Sequence, residues 1–155
     1  MQLLVCIEEI SQNQVIRTYT ELSKYDTFLE RFRYLRLDGE VAFETFGYDR
    51  YLNQIFYNTI QWQKSRRFVI LRDQANDLGI DGYPINGQKI IIHHLIPITR
   101  EDILNRNPDI YNPEFLICTT MRTHNAIHYG DESLLPYAPI VRRKNDTCPW
   151  REGGN

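Results

Sequence analysis

Of 155 residues, only three are cysteine, two methionine, two tryptophan and four histidine. Cys6, Cys118 and Cys148 are odd in number and far apart, so they build neither a disulfide framework nor a CxxC zinc ribbon. That usage suits a reducing cytoplasm. No apolar run approaches the length needed to span a bilayer. The opening "MQLLVCIEE" has a short apolar patch, but acids follow it and no basic flank precedes it, so it does not read as a signal peptide. Low-complexity tracts and internal repeats are missing too. A net charge of −2 argues against a protein that coats nucleic acid non-specifically. What remains is a globular composition, 42% hydrophobic and 25% charged, long enough for one domain with a real core.

The charge is unevenly spread. Residues 1–60 hold nine acids and six bases. "QWQKSRRFVILRD" (61–73) and "VRRKNDTCPWR" (141–151) each carry four bases against one acid. Such segments are either solvated faces or footprints for phosphates. "LLVCIEEI" and "VIRTY" read as two short strands, and "LDGEVAFETFG" as a turn-rich stretch that can hold a small hairpin. "DTFLERFRYLRL" reads as a helix with a Thr27–Glu30 capping box and a face of Phe28, Phe32 and Leu35. The longest helical stretch, from Tyr48 to Asp77, is expected to break near Asn58-Thr59, where Thr59 caps a second helix. Its aromatics, Tyr51, Phe56, Tyr57, Trp62 and Phe68, are expected in the core. From residue 79 onward, Asn86-Gly87 between two extended segments predicts a hairpin whose second strand ends before Pro97. Thr99 with Asp102 predicts a short helix in the next loop. "PEFLICTTMRTHNAIHYGDE" reads as a few extended residues, then a helix capped by Thr119 or Thr120 and ended by Gly130. Three prolines and an RRK cluster beyond Leu135 suggest an extended arm.

All the histidines fall in this hairpin–helix segment. His124 and His128 stand at i, i+4 and share a helix face. Neutral imidazole is the commonest transition-metal ligand, and this spacing is a two-point grip on an ion. If the helix meets the hairpin, one of the adjacent pair His93 and His94 completes a three-histidine site, leaving coordination positions open for water and substrate. Neighbours on a strand point to opposite faces. The other histidine therefore points elsewhere and is free to act as a base, a task its ordinary pKa of about 6.5 suits.

The segments "HHLIPIT" and "PEFLICTTMRTHNAIH" resemble the two halves of the HNH nuclease motif, and "FYNTIQWQKSRRFVILRD" resembles the helix that often precedes it in phage-encoded stand-alone members. The resemblance implies an α+β fold: a ββα-metal (HNH, His-Me finger) core, a mainly helical N-terminal region before it and an extended basic arm after it. The implied divisions are 1–57, 58–131 and 132–155. By position, His93, His124 and His128 would hold one divalent ion (Mg²⁺, Mn²⁺, Ni²⁺ or Zn²⁺), and His94 would be the general base for hydrolysis of DNA, as nicking or double-strand cleavage. The implied setting is the host cytoplasm, and the partners are duplex DNA, no membrane, and a phage or host protein through either terminal region. Lys89, Arg122, Lys64, Arg66, Arg67, Arg142, Arg143 and Lys144 are candidate phosphate contacts. Asn112 and Asn125 are candidate supporting residues. The chain departs from the family pattern at Phe115, where an asparagine usually tethers the loop to the base-bearing strand, and it lacks the bracing CxxC pairs. A non-catalytic, zinc-stabilised DNA- or protein-binding module is the competing expectation, and an RNA nuclease a weaker one.

Overall fold

The computed structural model describes residues 16–37, 50–79 and 83–135. The architecture is mixed α+β, with two small antiparallel sheets set among helices. Helix α1 spans Tyr19–Leu22, α2 Phe28–Leu35, α3 Arg50–Tyr57, α4 Ile60–Arg72, α5 Arg100–Leu104 and α6 Met121–Tyr129. Strands β1 (Asn76–Asp77) and β2 (Tyr83–Pro84) pair with each other, as do β3 (Ile91–His94) and β4 (Leu116–Thr119). None of the helices among the described residues is long and apolar enough to cross a membrane.

Local chemistry sets the helix ends. Thr27 and Glu30 form the capping box of α2, and Thr99 and Asp102 that of α5. The hydroxyl of Thr59 accepts from Trp62 N–H and starts α4 just after the break at Asn58. Thr120, rather than Thr119, caps α6, which ends on Gly130 in the left-handed conformation at φ +64°.

Among the described residues, the predicted hairpin across Asn86-Gly87 does not form. Gly87 does turn the chain at φ +68°, but β2 pairs back with β1, and Pro84 offers no N–H for a second ladder. The β-branched strand β3 pairs instead with β4, across the loop that holds α5 and two 3-10 turns, Pro108–Tyr111 and Pro113–Phe115. Burial explains the choice: every residue of β4 is completely or almost completely removed from solvent, an apolar gain that a turn preference cannot match.

Strand β4 is the spine of the core. Leu116 and Cys118 face a cluster with Phe56, Trp62, Val69 and Tyr111. Ile117 faces the other way, into a cluster with Leu22, Leu35, Leu37, Leu95 and Ile127. A third group joins Phe32, Ala126 and Leu135. The expected division at 57/58 therefore falls between Phe56 and Trp62, which touch at a ring separation of 4.9 Å. The other division, at 131/132, precedes a 3-10 turn, Glu132–Leu134, whose neighbour Leu135 is buried.

Several expectations need correction. Residues 16–18 of "VIRTY" form no strand, and Tyr19 opens α1. Of the aromatics expected in the core, Phe56 and Trp62 are buried, whereas Tyr51, Tyr57 and Phe68 are exposed, because the two helices have solvent on their outer faces. The strand "LLVCIEEI", the hairpin in "LDGEVAFETFG" and the arm beyond Leu135 lie outside the described residues.

Candidate metal centre

Directly paired residues of an antiparallel ladder share a face. His93 pairs with Ile117 and points with it toward α6, while His94 pairs with Leu116 and points toward α4. The His93 ring lies 5.3 Å from that of His124 and 5.1 Å from that of His128. The helix brings His124 and His128 within 4.3 Å of each other, with their Nε2 atoms 3.1 Å apart. One nitrogen from each of the three histidines lies within 4.8 Å of the others.

This donor set fits a metal ion. Nε2 atoms 3.1 Å apart place two lone pairs in conflict unless one imidazole switches tautomer or both bind one cation, and two nitrogens at about 2.0–2.1 Å from a tetrahedral ion sit close to that spacing. The Nδ1 atom of His93 is buried with no hydrogen-bond partner. Burial, reinforced by the neighbouring imidazoles, holds His93 well below the ordinary histidine pKa. Burial pushes His128 down to about 4, with His124 adding to the effect. It lowers His124 as well, against a side-chain hydrogen bond to Asn125 that favours the protonated ring. Neutral imidazoles are the ligating form. An all-imidazole set suits zinc, nickel and other transition ions better than magnesium, which prefers oxygen.

His94 stands apart from the three. Its Nε2 lies 3.1 Å from the carbonyl of Ile110. A carbonyl only accepts, so that nitrogen carries the proton and Nδ1 keeps the lone pair. Burial lowers its pKa to about 4, with the Ile110 carbonyl opposing the shift. Despite facing away from His93, His94 lines the same cavity of about 150 Å³ as the three clustered rings, together with Asn53 and Tyr57 from α3.

The supporting and basic residues fall elsewhere. Asn112 caps the 3-10 turn at Pro113 through Glu114 N–H instead of bridging to β3. At position 115 the backbone joins the loop to the end of β3, since Leu95 N–H donates to the Phe115 carbonyl at 2.8 Å. Among the described residues, no lysine or arginine lines the cavity. Lys64, Arg67 and Lys89 are exposed, Arg66 is half-buried, and Arg122 donates to the Leu134 carbonyl. Arg142, Arg143 and Lys144 lie outside the described residues. Arg72, counted with the basic stretch, is an internal clamp on the carbonyls of Pro113 and Leu116.

Sequence reasoning missed two groups. Asp77 accepts from Gly79 N–H, Thr120 N–H and the hydroxyls of Thr120 and Thr123, and so fixes the start of the helix that carries two of the histidines. Trp62 stacks on His94. Neither had a local signal, since both depend on contacts across the chain. No protein-family model, curated protein or solved structure matches this chain.

Proposed function

We propose that the protein is a metal-dependent endonuclease of HNH type that hydrolyses DNA phosphodiester bonds. One observation carries the reading: three imidazoles from β3 and α6 gather beside a cavity that the adjacent histidine of the same strand, held in a defined tautomer, also lines. The order strand, loop, strand, helix in β3–β4–α6 is compatible with the expected ββα-metal arrangement and supports the reading.

In this reading His93, His124 and His128 hold one divalent transition ion, which when bound supplies Lewis-acid stabilisation of charge building on the phosphoryl oxygens. His94 Nδ1 takes a proton from the attacking water as its oxygen bonds to phosphorus. The bond from phosphorus to the 3′-oxygen breaks, and that oxygen takes a proton from solvent, leaving 5′-phosphate and 3′-hydroxyl ends. The loop backbone keeps His94 aimed through Ile110 and Phe115. Binding strength would come from phosphate contacts at exposed bases such as Lys64 and Arg67, and would fall steeply with salt.

The test is plasmid cleavage with Mg²⁺, Mn²⁺, Ni²⁺ and Zn²⁺ in turn, wild type against His94→Ala. Cleavage with at least one transition ion is expected, and the variant should lose on the order of 10²- to 10⁴-fold in rate while holding the same metal. Full activity in His94→Ala would reject the base. Tight stoichiometric zinc with no cleavage under any ion would favour the binding-module alternative. Preferential digestion of RNA would change the substrate.

A further inference from the structure

The candidate base sits in an aromatic bracket. The indole of Trp62 lies parallel to the His94 imidazole, with centroids 5.2 Å apart and planes 17° apart. Phe56 closes a second side at 6.0 Å and 53°. The other ring contacts of Trp62 are tilted or edge-on, at 45° to Phe56 and 67° to Tyr57. Filling a core does not require a parallel imidazole stack, and among the described residues His94 alone receives one from this indole.

We propose that Trp62 is a positioning residue for His94: its stacked indole and the Ile110 carbonyl together hold the imidazole in one plane and one tautomer, with Nδ1 presented to the cavity. The inference rests on the reading of His94 as the general base. The two restraints are complementary. A ring flip would exchange Nε2 for a carbon and lose the bond to Ile110. Tilting about that bond is blocked by the indole face.

The bracket is itself anchored. Trp62 N–H donates to the Thr59 cap at 3.1 Å, so the indole hangs from the fixed first turn of α4. One turn on, the Ser65 hydroxyl donates to the Tyr111 carbonyl at 2.7 Å, tying the same helix to the residue after Ile110. Stack and carbonyl therefore move as one unit. Reacting groups must be held to within a fraction of an ångström, and a displacement of about 1 Å can cost on the order of 10²-fold in rate.

The experiment compares full-length wild type, Trp62→Phe and Trp62→Leu, each loaded with Mn²⁺ or Ni²⁺ for cleavage and with Zn²⁺ for NMR of ¹⁵N-histidine. Thermal melts and metal content confirm that each variant is folded and loaded. The wild type should show His94 as a single Nε2–H tautomer with ring protons shifted upfield by the indole. Trp62→Phe, which keeps an aromatic face, should retain that tautomer and most of the kcat. Trp62→Leu should show mixed or broadened His94 ring signals and a kcat lower by on the order of 10-fold or more, with KM unchanged. A folded, loaded Trp62→Leu with wild-type kcat and an unchanged His94 tautomer would overturn the assignment, as would equal losses in both variants. If no ion supports cleavage even in wild type, the nuclease reading fails; the His94 tautomer and ring shift across the three proteins still decide whether Trp62 positions the ring.

Discussion

Asp77 is wholly buried, and four donors converge on its two carboxylate oxygens at 2.5 to 3.0 Å. Burial penalises the charged form more than the donors favour it, so its pKa lies above the ordinary value. The folded state then holds this proton more tightly than the unfolded chain, whose carboxyl titrates at about 3.9. The resulting stability is fully present below about pH 3.9 and is lost as pH rises through the higher folded value. Asp77→Asn cannot titrate. The urea-unfolding free energy of wild type minus that of Asp77→Asn should therefore shrink with rising pH across this window; a difference that grows would show that the donors outweigh the burial. Gly79 makes a second residue-scale case. A Cβ there would clash with Thr123 Cγ2, and Thr123 cannot swing aside without releasing Asp77. Gly79→Ala should cost about 1–3 kcal/mol in chemical denaturation, the penalty of overpacking a filled site.

At the scale of elements, the seating of β4 depends on one side chain. The Arg72 guanidinium donates to the carbonyls of Pro113 and Leu116 at 2.7 and 2.6 Å, pairs with Asp73 at 2.7 Å and stacks on Tyr19 at 3.6 Å. Asp73 in turn accepts from Cys118 N–H. Lysine has one ammonium where arginine has a planar fork, so it cannot reproduce this geometry. Arg72→Lys should lose about 1.5–3 kcal/mol by urea unfolding, whereas Lys64→Ala on the exposed face of the same helix should change stability by less than about 0.5 kcal/mol. Comparable losses at the two positions would mean that the clamp is not what holds the strand. Helix boundaries were legible at this scale because a cap is settled within four residues: Thr27 with Glu30, Thr59, Thr99 with Asp102, and Gly130 all act where their spacing placed them. Strand pairing was not, because the partner of β3 lies beyond an intervening loop and was chosen by burial.

For the whole molecule, the segment from Ile16 to Leu37 is part of the core and no separate appendage. Leu22, Leu35 and Leu37 pack with Leu95, Ile117 and Ile127, and Leu37 N–H donates to the Ile127 carbonyl at 2.9 Å. Deleting residues 1–37 should expose that cluster and yield a chain without a cooperative thermal transition; a truncated protein that melts sharply would contradict this. Metal is expected to act globally too, since it would join β3 to α6 through buried ligands. At a free-ion concentration about 100-fold above Kd, binding adds about 2.7 kcal/mol to stability. Chelation should accordingly lower Tm by about 5 °C or more, and His128→Ala should lose both the metal and the response to chelator. An unchanged melting curve on chelation would argue against the centre.

By itself the sequence determined the helix caps, the pairing of His124 with His128 on one face and the opposition of His93 to His94, because these follow from backbone periodicity over a few residues. Tertiary structure alone decided which strand β3 joined, that Asp77 would hold the start of α6 and that Trp62 would lie against His94. Those outcomes depend on how much apolar surface each long-range contact removes from water and on which buried polar groups find partners, quantities that no local window contains.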